Sequence, residues 1–390
     1  MTGTRDTPLR ALETALDALD RQLETLHPLV DELVTRERVW QAVAALAETP
    51  APSSAATAFR GDVLRAVLGD RPAGIVLDLD HGRTGSAAVC VGAPAQAGRL
   101  WYFAHLDTIS YLVDGGGFGR YGLVPYCYHL TTDGRRAAKA FRYDLSAGGY
   151  RVVGEGSLVS EGGAASFVVD GTDPGLGPGD RVVPVASCRI AADGSATGHF
   201  DNAGGVAAVL VAAVALAAAG EHATLFLPDE EEGPAGAGNQ TIGRGGTRLV
   251  GHLAPPDLAI VSDMQQAAPP DAPGPRLGAG AVLSEYASLG RGSVTPPHLF
   301  AAAREWARRL APRGVRIQEP AGSYTSRSDD VSAMLRTPNV LLMGFPGFDR
   351  HFDRAEPRAH PDDLVDLARS LVYASALRPL AALLRSGGPR

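Results

Sequence analysis

The chain has 390 residues, 45% of them hydrophobic and 20% charged, with a formal net charge of -7. That length is enough for a sizeable core and two domains, and the composition excludes a disordered chain. The acidic balance excludes a nucleic-acid partner, which needs clustered Lys and Arg.

Leu9, Leu12, Leu16, Leu19, Leu23 and Leu26 alternate in steps of three and four and predict an amphipathic helix over 9–26. The seam fits packing on its own domain first and an oligomer contact second, because so short a heptad run falls below the coiled-coil threshold. Pro28 is expected to break the helix. A second helix over Leu33–Leu46, a loop over Thr49–Ala55 and a third helix over Thr57–Leu68 follow. Apolar runs predict strands at 74–80, 86–92 and 99–105. From Gly115 to Ser187 the texture changes to glycine-rich alternating runs such as YRVVGEG and ASFVVDG, broken by TDG and TDPG, which predict a small all-β insert. The α/β pattern then resumes. Helices are expected at Gly204–Ala219, Pro297–Leu310 and Pro361–Leu377, and strands at Ala223–Leu227, Leu258–Val261 and Val340–Met343. Cys90, Cys127 and Cys188 are too scattered for a disulfide framework or a thiolate zinc site. The longest apolar run, Val206–Ala219, is too short for a membrane span, and no leader peptide is evident. The expectation is a cytoplasmic protein without a membrane partner.

Acidic and histidine residues stand next to the apolar runs. His105 and Asp107 follow LWYFA, Asp201 precedes the Ala/Val stretch, Glu230 and Glu231 follow ATLFLP, Asp263 follows LAIVS, and His351 follows VLLMGF. Ligands of an open α/β sheet bind outside the carboxyl ends of its strands, so residues distant in sequence can meet in one cleft. Asp201 stands at a helix start, where exposed amides favour a carboxylate. This set suits a hydrolytic site with two divalent ions, zinc with cobalt or manganese as alternatives. Asp201 would bridge the ions, one completed by His105 and Asp263, the other by Glu231 and His351. Glu230 would act as the base, and Asp107 would accept a hydrogen bond from the His105 ring and fix its tautomer. The remaining candidates have plainer readings. His199 could be a ligand, but a structural or ligand-supporting role is the preferred reading, and His360 precedes a helix start and yields to His351. Asp229 and Glu232 are solvated or local caps, although Glu232 could bind a substrate α-amine. Asp329 and Asp330 mark a helix N-terminus, and His129 and His222 are structural or exposed.

AHLDTISYLVD (104–114), GHFDNAGGVAAVL (198–210), EEEGPAGA (230–237), LAIVSDM (258–264) and RHFDRAE (350–356), with weaker echoes in RLGAGAVL (276–283) and SDDVSAM (328–334), carry a family resemblance. Over roughly residues 40–378 the chain resembles the dinuclear metallo-aminopeptidases: glutamyl aminopeptidase, the tetrahedral (TET) aminopeptidases and the so-called cellulase M proteins. That family places a β domain after its first histidine, where this chain has room for one. Deacylases and carboxypeptidases of the wider clan place their lid after the third carboxylate. The resemblance implies a three-layer α/β/α zinc-peptidase-like catalytic domain with a small all-β insert. The corresponding division is a helical extension over 1–36, catalytic segments over 37–114 and 191–390, and the insert over 115–190. It implies cleavage of N-terminal residues from peptides or small amides, a homo-oligomer, and a substrate-pocket role for Asp329. Thr108 and Ser110 replace the family's Glu and Gly, and Asn202-Ala203 departs from its Asp-Arg. The alternatives are therefore an amidase or deacylase of a small specialised metabolite, and a non-catalytic binding relative.

Overall fold

A computed structural model describes residues 6–69, 73–126, 132–229, 243–319 and 329–385. It opens with helices α1 (Asp6–Leu33), α2 (Arg36–Ala47) and α3 (Ala56–Leu68). Strands β1 (Ile75–Asp78) and β2 (Ala87–Val91), the short α4 (Pro94–Ala97) and β3 (Leu100–Phe103) follow. The next six strands are β4 (Ser110–Gly117), β5 (Arg120–Tyr126), β6 (Gly134–Asp144), β7 (Gly149–Glu161), β8 (Ala164–Val169) and β9 (Arg181–Pro184). They close into a barrel in the order β4-β5-β8-β7-β6-β9.

After the barrel come β10 (Arg189–Ile190), β11 (Ala196–Thr197), α5 (Ala203–Ala218) and β12 (Ala223–Leu227). They lead to α6 (Arg244–Val250), β13 (Leu258–Gln266), β14 (Ala281–Ser284), α7 (Pro297–Leu310) and β15 (Ile317–Gln318). The chain finishes with α8 (Asp330–Ala333), β16 (Val340–Phe348), β17 (Arg358–Ala359), α9 (Pro361–Tyr373) and α10 (Arg378–Arg385). An 11-stranded sheet runs β1-β2-β12-β3-β13-β16-β17-β11-β10, with β14 on β16 and β15 on β14. Its centre, β12-β3-β13-β16, is parallel throughout. The protein is thus an α/β fold with a small closed β barrel set, in sequence, between β3 and β10 of the large sheet.

Helix α5 is apolar on all sides, and Ala203–Leu216 is buried without a gap. Such a helix must be covered all round. It packs against β12 and β13 on one side and against α1, α2 and α9 on the other. On the opposite sheet face, Trp101, Phe103 and Phe226 cluster with Leu249 of α6 and Ala333 of α8. No described helix is long and apolar enough to cross a membrane.

The expected break at Pro28 does not occur. Proline removes an N–H and crowds the preceding turn, yet α1 continues to Leu33 with Pro28 inside it. Leu19, Leu23, Leu26, Val30 and Val34 are all buried, so prolonging the apolar face outweighs the lost bond. The second helix begins later than expected, after Thr35, whose hydroxyl caps it by accepting from Arg38 N. The described part of the leucine seam is spent on this chain's own helices. Leu23→Ala should therefore cost about 2–5 kcal/mol, and the drop in melting temperature should not change with protein concentration. A concentration-dependent drop would assign the seam to a subunit contact.

Candidate metal centre

His105 lies just past the end of β3. The flanking main chain is fixed by Ala104 N donating to Phe226 O at 3.2 Å and Leu106 N to Pro228 O at 2.6 Å. The ring Nδ1 meets the main-chain carbonyl of Asp107 at 3.0 Å. A carbonyl only accepts, so Nδ1 donates there, and Nε2 faces the cleft and Asp201 Oδ1. The expected acceptor, the Asp107 carboxylate, is 3.5 Å from Nδ1 and instead takes the Ser53 hydroxyl at 2.5 Å. The tautomer is fixed through the main chain because the peptide carbonyl turns back under the ring.

Asp201 precedes α5, whose N-cap is Asn202. The Asn202 amide accepts from Gly205 N at 3.1 Å and donates to Ser262 O at 2.7 Å, which ties the Asp201 and Asp263 segments together. The peptide between Asp201 and Asn202 is cis. Asp263 lies within β13 and not beyond it. The expected strands end at Val261 and Met343, but the β13–β16 ladder continues to Gln266 and Gly347, with Asp263 opposite Gly344. A Cβ at Gly344 would fall 2.1 Å from the Asp263 carbonyl oxygen, so a side chain there would force the strands apart.

These elements bring four predicted ligands together. His105 Nε2 is 3.2 Å from Asp201 Oδ1 and 3.7 Å from Asp263 Oδ1. His351 Nε2 is 2.9 Å from the other oxygen of Asp201. Donor atoms of His105, Asp201 and Asp263 all lie within 4.8 Å of one another, and all four side chains are buried. Asp201 Oδ2 and Asp263 Oδ2 have no partner in hydrogen-bond geometry among the described residues, so the close approach of His351 is not a well-angled hydrogen bond. Burial opposes ionisation of Asp201. The hydrogen bond from His105, the approach of His351 and the charge of Arg350 outweigh it and hold the carboxyl well below the usual range. Buried carboxylates and imidazoles converging on one point suit a cation, and this nitrogen and oxygen donor set suits zinc, cobalt or manganese.

Glu230, Glu231 and Glu232 lie outside the described residues, as do Cys127 and His129. Asp229, expected to be solvated or a local cap, is a buried long-range cap. Its carboxylate takes Ser54 N at 2.8 Å and Ala56 N at 3.0 Å, fixing the end of β12 against the start of α3. His199 is buried, and burial foremost, with the nearby Arg60 charge, pushes it down to about 3. Its ring stands edge-on to Phe352 at 4.9 Å, and its Nε2 has no hydrogen-bond partner among the described residues. His360 caps α9 by accepting from Asp362 N, and His222 accepts from Ala93 N. Asp330 is buried and takes Ser293 N at 2.6 Å.

Asp329 is fully buried, and neither carboxylate oxygen has a hydrogen-bond partner among the described residues. Burial raises it to about 8, with His105 opposing the rise and Asp263 and Asp107 adding to it.

Two supporting residues escaped sequence reasoning. Arg60 is wholly buried and donates to the carbonyls of Leu106 at 2.6 Å, Leu46 at 2.8 Å and Thr49 at 3.2 Å. Burial lowers it to about 10, against the pull of Asp107. The signal was present, since Arg60 falls in register with Ala56, Leu64 and Leu68 on the buried face of α3. The other is Arg136 on β6, which nothing in the sequence marks.

Residues 179–376 match the model of peptidase family M20/M25/M40. The chain belongs to that family. It is therefore a hydrolase of the peptidase class, and its buried cluster is a candidate metal site of that class. No curated protein sequence matches it. Among solved structures, an aminopeptidase from the archaeon Desulfurococcus kamchatkensis is similar at a TM-score of 0.68 and 16% identity, over 88% of this peptidase and 94% of that chain. The TET aminopeptidase of a marine-sediment Thaumarchaeota archaeon gives 0.67 and 14%, over 87% and 96%. The Pyrococcus horikoshii TET1 peptidase, described as assembling into a tetrahedron or a large octahedral shell, gives 0.63 and 16%, over 86% and 99%. At these identities the likeness establishes the shared fold.

Two outcomes follow from the geometry. The folded-state value of Asp329 is raised above the ordinary carboxyl value, so its contribution to stability is present in acid and is lost as pH rises towards about 8. In metal-free protein, Asp329→Asn should remove that loss. Thermal melts across that window should show the variant's advantage growing with pH, and a constant difference would refute the assignment. Gly344→Ala should part β13 from β16 beside Asp263 and lower both the melting temperature and the bound metal measured by elemental analysis.

Proposed function

We propose that the protein is an aminopeptidase-like hydrolase that uses two divalent ions, zinc in the first instance, to cleave N-terminal residues from peptides or small amides. The observation that carries this reading is that the two oxygens of one buried carboxylate, Asp201, face two different imidazoles, His105 and His351. On this reading His105, Asp201 and Asp263 would hold one ion, and Asp201, Glu231 and His351 would hold the other. Bound there, the pair would polarise the scissile carbonyl and acidify the attacking water.

The chain's own residues account for the remaining chemistry. Glu230 takes the proton from the attacking water and returns it to the leaving amine. The segment just before it is anchored beside His105, with Pro228 O accepting from Leu106 N and the Asp229 carboxylate taking Ser54 N and Ala56 N, which supports that role. Asp107 orients the His105 ring, with Nε2 towards the cleft, through its main-chain carbonyl, while its carboxylate is anchored by Ser53. Asp329 is the acceptor proposed for the substrate ammonium. A buried carboxyl without a hydrogen-bond partner among the described residues, coupled electrostatically to His105 and Asp263, would gain one when an amine arrives. Glu232 remains a second candidate for that contact. The resemblance to TET assemblies supports a homo-oligomeric enzyme, and analytical ultracentrifugation showing a lone monomer would remove that part.

Glu230→Gln should keep full zinc content and fold while kcat falls by roughly 10²–10⁴. Aminoacyl-anilide hydrolysis read beside elemental analysis tests this, and near-normal turnover would displace Glu230 as the base. His105→Ala should instead lower zinc content. Chelation should abolish activity, and added zinc, cobalt or manganese should restore it. A protein that takes up none of these ions would exclude the hydrolytic reading of the site.

A further inference from the structure

His351 belongs to a loop that the catalytic sheet does not hold by itself. Its neighbour Phe352 is 1% exposed and lies in the apolar cluster of the barrel, with Ile109, Tyr111, Phe167 and Val182. Phe352 has φ +58° and Asp349 φ +53°, in the left-handed region that a bulky side chain rarely enters. Phe352 N closes the turn by donating to Asp349 O at 2.7 Å.

Arg136, from barrel strand β6, reaches across to this loop. Its Nε donates to Phe352 O at 3.0 Å and its Nη2 to Asp353 O at 2.8 Å. One planar fork therefore grips the two carbonyls that follow His351, and the same guanidinium binds Thr132 at its own end. Backbone in a sparsely populated region persists only where its surroundings over-determine it. Here the barrel supplies most of the apolar socket for the Phe352 ring, which also meets the His199 ring at 4.9 Å, and a cationic fork for the main chain beyond it.

We propose that the β insert is the positioning element for His351, with Arg136 and Phe352 as the positioning residues. The inference rests on the two-ion reading. The barrel then governs the occupancy of the ion that His351 shares with Asp201, and it leaves the ion held by His105 and Asp263 unaffected. Freed from the barrel, the loop relaxes towards ordinary backbone conformations, and the imidazole no longer stays within reach of Asp201.

Zinc titration of the full chain against a chelating dye, with hydrogen exchange of residues 349–353 in metal-free protein, tests this. Wild type should bind two ions. Arg136→Met keeps the apolar stem and removes the fork. It should leave one ion at wild-type affinity and weaken the other by about 10–100-fold. Arg136→Lys, which restores a single donor, should fall between the two. Phe352→Leu should reproduce the selective loss with Arg136 intact. Arg136→Met placed on His351→Ala should cost no further affinity, because both act on the same ion. In each positioning variant the loop amides should exchange faster than in wild type.

Unchanged affinities and unchanged exchange would overturn the inference. Equal weakening at both ions would overturn it as well, since that marks a general loss of stability. A wild type that binds a single ion would sink the two-ion reading, whereas the exchange comparison would still report whether the barrel holds the loop.

Discussion

A carboxylate buried with an imidazole on each of its oxygens is an expensive object, because removing a charge from water costs several kcal/mol unless it is compensated. At Asp201 the compensation comes from His105, His351 and the Arg350 guanidinium at 3.9 Å, and the surrounding fold is arranged to bring them there. Three elements must end at one point. Strand β3 delivers His105, the start of α5 delivers Asp201, and the extended β13–β16 ladder delivers Asp263 and then the loop with His351. Asn202 joins two of them by capping α5 and holding Ser262 O. Parallel strands with connections on both faces make such convergence natural, because their carboxyl ends line one edge.

Around that point the structure relies on long-range polar clamps where apolar packing ends. Arg60 holds the α2 terminus, the following loop and the main chain beside His105 through three carbonyls. Asp229 holds α3 through two amides. The two departures from the family pattern after His105 serve the same purpose. The Thr108 hydroxyl donates to Ala51 O at 3.2 Å, and the Ser110 hydroxyl accepts from Ser53 N at 3.2 Å. Residues 51–53 thus become the floor beneath His105 and Asp107. These substitutions have a local structural purpose that does not touch the metal donors.

The barrel is more than an appendage on this view. Its core includes Phe352, one residue from a predicted ligand, and Arg136 reaches from it to the same loop. At 14–16% identity to the solved structures discussed, little sequence is shared, and the barrel sits in sequence between His105 and Asp201. A site assembled from strand ends tolerates extensive surface change so long as the ends meet.

Much of this was legible in the sequence. Apolar runs located the parallel strands, a glycine-rich alternating stretch marked the barrel, and His105, Asp201, Asp263 and His351 stood out because each borders such a run. Local pattern encodes those features, since side-chain period and turn chemistry are properties of neighbouring residues. Tertiary structure decided the rest. Burial of a continuous apolar face carried α1 past Pro28, and pairing between β13 and β16 lengthened both strands until Asp263 lay inside one of them. The acceptor for His105 became a main-chain carbonyl, which carries no signature in the sequence. The partners of Arg60 and Arg136 were equally hidden. A guanidinium takes backbone carbonyls wherever the fold presents them, and those of Arg136 lie more than 200 residues away.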